Sequence, residues 1–404
     1  MNEADTSFII FSSILVLFMT PGLAFFYGGL VSKKNVVNTM VSVFFITGLA
    51  ILLWLICGYS LAFSGNIWGI IGNGQHFFFQ NLNFEKTTTG GIPVGLYSLF
   101  QMMFAIITPA LFIGAVVGRI NFKFLFFFII FWSISIYYPM VHMVWSPNGL
   151  LSKLGALDFA GGTVVHIDAG ITALILAIFV GPRTKKEPHH YNLAWVLLGT
   201  AILWIGWYGF NAGSALAVNS SSVLAILTTT MAAASAMATW SILELIHNKK
   251  VTLVGTCTGV ICGLVAVTPA AGYVSSMGAF WIGIIAAGLS FSFVTFIKPK
   301  LRIDDTLDAF GCHGISGIWG SIATGLFASK SANSNLTLNG LFYGGGLRLF
   351  LIQLLVTIIT IIFVGLTATT ITILLKKFVT IRVTKEQEAS GLDLSQHGEI
   401  IEQN

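Results

Sequence analysis

The chain has 404 residues, 55% of them hydrophobic and only 9% charged, with a formal net charge of +5 and a mean hydropathy of +0.87. A soluble domain carries about 25% charged residues, so this composition excludes an ordinary soluble enzyme, a nucleic-acid binder and a disordered protein. Apolar runs of about 20 residues recur from one end to the other, the pattern of an all-α protein that crosses a membrane many times.

The opening residues, Met1 to Ser7, carry Glu3 and Asp5 and no basic group, so a cleaved secretory leader is not expected. Eleven apolar segments are predicted, at roughly 8–30, 39–63, 93–118, 122–141, 161–180, 193–214, 223–246, 251–271, 276–297, 306–327 and 347–375. At about 1.5 Å rise per residue each can cross a hydrocarbon core of about 30 Å. An odd count puts the termini on opposite sides. With the N-terminus outside, 16 of the 20 Lys and Arg residues fall on cytoplasmic loops, Lys186 among them, leaving only Lys86, Lys153, Lys330 and Arg348 outside. The excess of basic residues on the inner side therefore selects N-out, C-in across the cytoplasmic (inner) membrane. Residues 1–375 form the transmembrane domain; the polar stretch 376–404 is a cytoplasmic tail, either a contact element or a disordered end. The four cysteines lie in apolar segments and imply no disulfide framework. The 43 glycines read chiefly as close-packing positions between helices.

An internal echo links two of these segments. Asp158 precedes His166 by eight residues in DFAGGTVVH, and Asp305 precedes His313 by eight in DTLDAFGCH. The first pair opens segment 5 from outside and the second opens segment 10 from inside, as expected if segments 1–5 and 6–10 are inverted repeats with a path at their interface. Ionisable groups at membrane depth are costly, so Asp158, His166, Asp168, Glu244, Asp308 and His313 attract attention. Two facing histidines offer a donor and an acceptor to a small hydrogen-bonding solute. The alternatives are two satisfied packing residues or a pair of haem ligands. Asp158 reads as a helix N-cap. Asp168, two residues past His166, points about 200° away from it on a helix. Glu244 reads as reaching the inner interface near Lys249 and Lys250, and Asp304, Asp305 and Asp308 read as a helix start with loop ion pairs. Trp145, in HMVW at the outer end of segment 4, is either a belt anchor or a cation-binding ring face.

These motifs together strongly resemble the ammonium transporter family (Amt/Mep/Rh), in its bacterial Amt branch. The resemblance runs from PGLAFFYGGLVSKKN (Pro21–Asn35) through DFAGGTVVHI (Asp158–Ile167), GWYGFNAGSA (Gly206–Ala215), TPAAGY (Thr268–Tyr273) and DDTLDAFGCHGISGIWG (Asp304–Gly320) to EQEASGLDLSQHGE (Glu386–Glu399). It implies a homotrimer, each protomer an eleven-helix bundle with its own pore, built as an inverted five-helix repeat plus one peripheral helix. It implies that His166 and His313 are the twin pore histidines, and that Phe104 and Phe210 form the stacked phenyl gate. Trp145, Phe104 and Ser214 would recruit ammonium at the outer mouth, with Asp158 beside them. Gln101, Trp207 and Thr268 match further pore-associated positions. It implies no cofactor, no enzymatic activity, and a trimeric PII-type (GlnK-like) regulator at the cytoplasmic face. An ammonium sensor signalling through the tail is the alternative function. Two departures stand out: SPNG follows Trp145 where a glycine run is expected, and Asp168 stands where a small or amide side chain is expected.

Overall fold

The computed structural model describes residues 1–84, 86–88, 90–185 and 190–401; Lys186, assigned above to the cytoplasmic side, and residues 402–404 of the tail lie outside the described residues. Among these residues the regular structure is helical, with isolated bridges and no named strand. In chain order the main rods are α1 (Glu3–Leu30), α2 (Val36–Leu53, running on through Trp54–Gly58 to Tyr59–Phe63) and α3 (Val94–Phe112). Next come α4 (Phe122–Trp132, Ser133–Tyr137 and Tyr138–Trp145 in succession), α5 (Asp168–Val180), α6 (Leu193–Gly213), α7 (Ser220–Asn248) and α8 (Leu253–Val267). The set ends with α9 (Ser276–Ser292), α10 (Ser316–Phe327), α11 (Arg348–Leu375) and the short tail helix α12 (Lys385–Ser390). Nine of the helical stretches among the described residues are long and apolar enough to cross a membrane; α8, with 15 residues, and α10, with 12, are shorter. The chain is a multi-pass membrane protein.

The ends of the rods follow from local chemistry. Asn2, Asn192, Asn219 and Thr252 cap α1, α6, α7 and α8 with side-chain oxygens that accept first-turn N–H groups. Segment 4 was expected to stop near residue 141, but the helix continues to Trp145. His142 breaks the apolar run but is buried with both ring nitrogens bonded, to Ala62 and Asn66, and Pro147 then holds the preceding Ser146 extended, at ψ 136°. Glu244 does not reach for the interface. It turns back on the next loop, accepting from the Thr252 N–H and hydroxyl at 2.8 Å each.

Packing between rods is set by glycine at two places that matter for the site. On α6, a Cβ at Gly199 would run into the backbone of Gly22 and Phe26 on α1, so these helices meet backbone to backbone. Where α5 crosses the start of α10, a Cβ at Gly170 would strike the Gly314 backbone, and one at Gly317 would sit 3.1 Å from the His166 Cβ. That crossing brings His166 and His313 face to face.

Both crossing helices begin alike. Each opens with a wide π-type turn, Gly162–Ile167 or Phe310–Ile315, that carries the histidine. A buried aspartate caps each turn: Asp158 accepts from the N–H groups of Gly161 (2.8 Å), Gly162 (2.6 Å) and Thr163 (2.8 Å), and from the Thr163 hydroxyl. Asp305 accepts from Ala309 (2.9 Å) and Phe310 (2.8 Å). The neighbouring acids form the loop ion pairs expected of them, Asp304 with Arg183 at 2.7 Å and Asp308 with Lys298.

The tail is docked rather than loose through residue 401. The Asp393 carboxylate accepts the Asn38 N–H at 2.7 Å, at the start of α2, and the Gln396 side chain accepts the Phe122 N–H at 3.2 Å, at the start of α4. Leu392 N–H donates to Asn35 at 2.9 Å, and Glu388 holds Arg382 at 2.7 Å and the Thr184 N–H at 2.6 Å.

Candidate functional site

Most of the expected site residues, Thr268 excepted, fall along one line through the bundle. At one end, predicted above to be the outer one, Tyr97, Gln101, Phe104, Trp145, Phe159 and Ser214 line a cavity, with Leu216. Trp145 is fixed by its indole N–H, which donates to the Asp158 carbonyl at 3.0 Å. The same aspartate therefore caps α5 with its side chain and orients the mouth tryptophan with its backbone. Ser214 donates its hydroxyl to the Phe210 carbonyl at 2.9 Å, which leaves the oxygen's lone pairs free to accept. The Gln101 side-chain oxygen is buried without a partner.

Below this cavity Phe104 and Phe210 close together, ring centroids 4.4 Å apart and tilted by 45°, each 1% exposed. Trp145 meets Phe104 edge-on at 5.7 Å. Inward of the phenyl pair, His166 lies nearly parallel to Phe210 (6.0 Å, 23°), to Trp207 (5.4 Å, 21°) and to His313 (5.4 Å, 17°). Neither ring nitrogen of His166 has a protein partner, nor does Nδ1 of His313. The space beside the histidines is about 20 Å³, room for one water-sized molecule and little more. Its other walls are apolar, among them Phe26, Ile107, Leu111 and Leu203. It cannot admit a porphyrin, which removes haem ligation as a reading of the two histidines.

Thr268 is not on this line. Its hydroxyl accepts the Trp207 indole N–H at 2.9 Å and donates to the Leu264 carbonyl at 2.7 Å, so it fixes Trp207 from behind. Asp168 does not border the cavity either, as its helical offset from His166 requires. At the opposite end a wider cavity of about 550 Å³ opens between Asn35, Gly118, Arg183, Thr306 and the tail residues Lys385 and Glu388. Tyr97, Phe159 and Leu216 were missed by sequence reasoning. Tyr97 could have been found one helical turn before Gln101, and Phe159 beside Asp158; Leu216 gave no signal.

A family model described as Ammonium Transporter Family matches residues 7–401. The chain belongs to that family. It is 43% identical over 404 residues to an ammonium transporter of Bacillus subtilis (strain 168), covering 99% of this chain and 98% of that one. It is 42% identical over 401 residues to an ammonium transporter of Aquifex aeolicus (strain VF5), covering 99% and 93%. Among solved structures it superposes on Mep2 of Saccharomyces cerevisiae with a TM-score of 0.88 at 32% identity, covering 95% of this chain and 88% of that one. A protein described as a sensor Amt protein gives a TM-score of 0.89 at 31% identity, covering 98% of each chain. Yeast Mep2 and the sensor Amt protein thus share this chain's helical architecture nearly end to end.

Proposed function

We propose that the chain carries ammonium across the cytoplasmic membrane, N-terminus outside, with eleven spans arranged as two inverted five-helix halves plus α11. The observation that carries this reading is the uninterrupted line from the outer cavity through the closed phenyl pair to two parallel histidines with unpartnered nitrogens. Ammonium has four donors and no acceptor, so the ring faces of Trp145 and Phe104 and the Ser214 oxygen suit it. Potassium ion has nearly the same size, and size alone does not separate the two. A charged group at the centre of a membrane helix costs at least about 2.5–3.5 kcal/mol. Ammonium can avoid that cost by leaving its proton behind, and potassium cannot.

In this reading the cation sheds its proton at the outer cavity, neutral ammonia slips past Phe104 and Phe210, and His166 and His313 exchange hydrogen bonds with it. The proton follows separately along the histidines, and the net event moves charge. Gln101 and Asp158 shape the mouth, while Trp207, held by Thr268, packs flat on His166. Three such protomers form the trimer, and a PII-type partner acts at the inner face, where the tail residues Lys385, Glu388 and Ala389 border the exit. The direct test is the transient current of purified protein in liposomes after an ammonium pulse. The expectation is a current lost in His166→Ala/His313→Ala and no response to potassium. An undiminished current in the double variant would sink the twin-histidine path.

The docked tail and the likeness to a sensor Amt protein favour one second reading, an ammonium sensor with little flux that signals through residues 376–404. No pulse-evoked current, together with ammonium-dependent protease protection of the tail, would select it.

A further inference from the structure

We infer, resting on the transport reading above, that Leu307 is a second gate on the path. It closes the histidine cavity toward the tail as Phe104 and Phe210 close it toward Trp145. Among the described residues Leu307 alone lines both the small cavity beside His166 and His313 and the wider cavity beside the tail. The other residues around the histidine cavity are buried, Ala309 at 2% and Cys312 at 7% exposed among them. Leu307 is half-buried, so its side chain stands at the step from enclosed to open space.

The backbone at this step is tied down from several sides. The Leu307 N–H donates to the Gly114 carbonyl at 3.0 Å and the Thr306 N–H to the Ala115 carbonyl at 3.3 Å, in the turn Ile113–Ala115 that ends α3. Arg119, fully buried, donates to the Thr306 hydroxyl and to the Asp304 carbonyl. A Cβ at Gly114 would lie 2.7 Å from the ring of Tyr27, another wall of the histidine cavity, so the bare glycine is what lets the three segments meet. Asp308 follows in the left-handed conformation, φ 57°, and its carboxylate pairs with Lys298. The chain then enters the π-type turn that carries His313. A leucine on so fixed a backbone opens by changing rotamer, and the free volume for that swing lies on the tail side.

The two volumes define what the side chain separates. About 20 Å³ beside the histidines holds one water-sized molecule, whereas about 550 Å³ on the other side holds many. The wider cavity has polar walls, including Asn35, Arg183, Thr184 and Glu388. An apolar constriction between a wet space and a dry one gates by excluding water. Neutral ammonia crosses such a step at small cost, but a hydrated cation must shed its shell to enter. Leu307 therefore keeps water on the tail side away from the unpartnered nitrogens of His166 and His313, leaving them for the solute.

The test uses the full chain in liposomes and two substitutions, each with its Tm measured. Leu307→Ala opens the step and Leu307→Phe fills it. The independent reporter is Cys312, a free thiol on the wall of the histidine cavity. Methyl methanethiosulfonate, a small neutral thiol reagent, is expected to modify Cys312 at least about tenfold faster in Leu307→Ala than in the parent. The adduct is read by mass and assigned with Cys312→Ser. Leu307→Phe is expected to lower the ammonium-evoked current about tenfold or more. Modification of Cys312 at the parent rate in Leu307→Ala overturns the inference. So does an undiminished current in Leu307→Phe when the parent conducts. A parent with no ammonium-evoked current overturns the transport reading instead, and the Cys312 rates then still decide whether Leu307 closes the cavity.

Discussion

Removing the Asp158 carboxylate is expected to be among the most damaging single changes around the Trp145 cavity. Its two oxygens satisfy three backbone N–H groups, at 2.8, 2.6 and 2.8 Å, and the Thr163 hydroxyl, all of them buried. Asp158→Ala leaves those four donors at the apolar start of α5. An unmet buried donor costs about 1–3 kcal/mol, and an ordinary N-cap is worth about 0.5–2 kcal/mol. Three N–H groups at the low end already give about 3 kcal/mol; allowing for water entering the mouth, we expect a loss of about 3–5 kcal/mol. Asp158→Asn keeps one acceptor oxygen and turns an NH2 group toward donors, so it is expected to lose about half as much. The assay is thermal unfolding of the purified protein, with tryptophan fluorescence following Trp145, whose indole is held by the Asp158 carbonyl. Equal Tm values for parent, Asn and Ala variants would refute the capping argument. A fall in current without a fall in Tm would give the carboxylate a direct role in proton removal instead.

Other consequences are open to the same methods. Gly170→Ala places a methyl group against the Gly314 backbone, where neither helix has a side chain to move, and it is expected to cost about 1–3 kcal/mol and abolish ammonium-evoked current. A fully active Gly170→Ala would mean that the crossing is looser than described. Beside the wider cavity at the tail end, burial acts to raise the Asp304 pKa, but hydrogen bonds from Arg183 and the charge of Arg119 outweigh it and hold the group at about 2 against an ordinary 3.8. A depressed carboxylate contributes stability that is complete above the ordinary value and fades as pH falls toward 2, so Tm should drop across that window. Asp304→Asn should flatten that part of the profile, and an unchanged slope in the variant would remove Asp304 as its cause.

How much of this was legible in the chain depends on how far apart the partners lie. Asp158 and Asp305 were readable because a cap and its N–H groups sit within six residues. The eight-residue spacing to each histidine was readable for the same reason. Arg119 was not singled out. It is fully buried, donating from Nε to the Gly181 carbonyl at 2.7 Å and from Nη1 and Nη2 to Thr306 and the Asp304 carbonyl. Those acceptors lie in two distant loops, and no local pattern announces them. His142 was missed likewise; it bridges Ala62 at 2.9 Å and Asn66 at 3.0 Å, far back in the chain. Thr268 was readable as pore-associated by resemblance, yet its job is to hold Trp207 from behind, a distinction that depends on which face of α8 turns inward.

The sequence by itself determined the membrane class, the approximate position of the helices, the charge asymmetry of the loops and the two capped histidine turns. Each of these depends on composition or on contacts within a turn or two, where the backbone geometry is already known. Only the tertiary structure decided that the histidines lie parallel 5.4 Å apart and that the phenyl rings close at 4.4 Å. It also decided that the tail caps α2 and α4. These outcomes turn on how helices far apart in the chain rotate and cross. Glycines, which leave no hydropathy signal of their own, set how closely such helices approach where α5 meets α10.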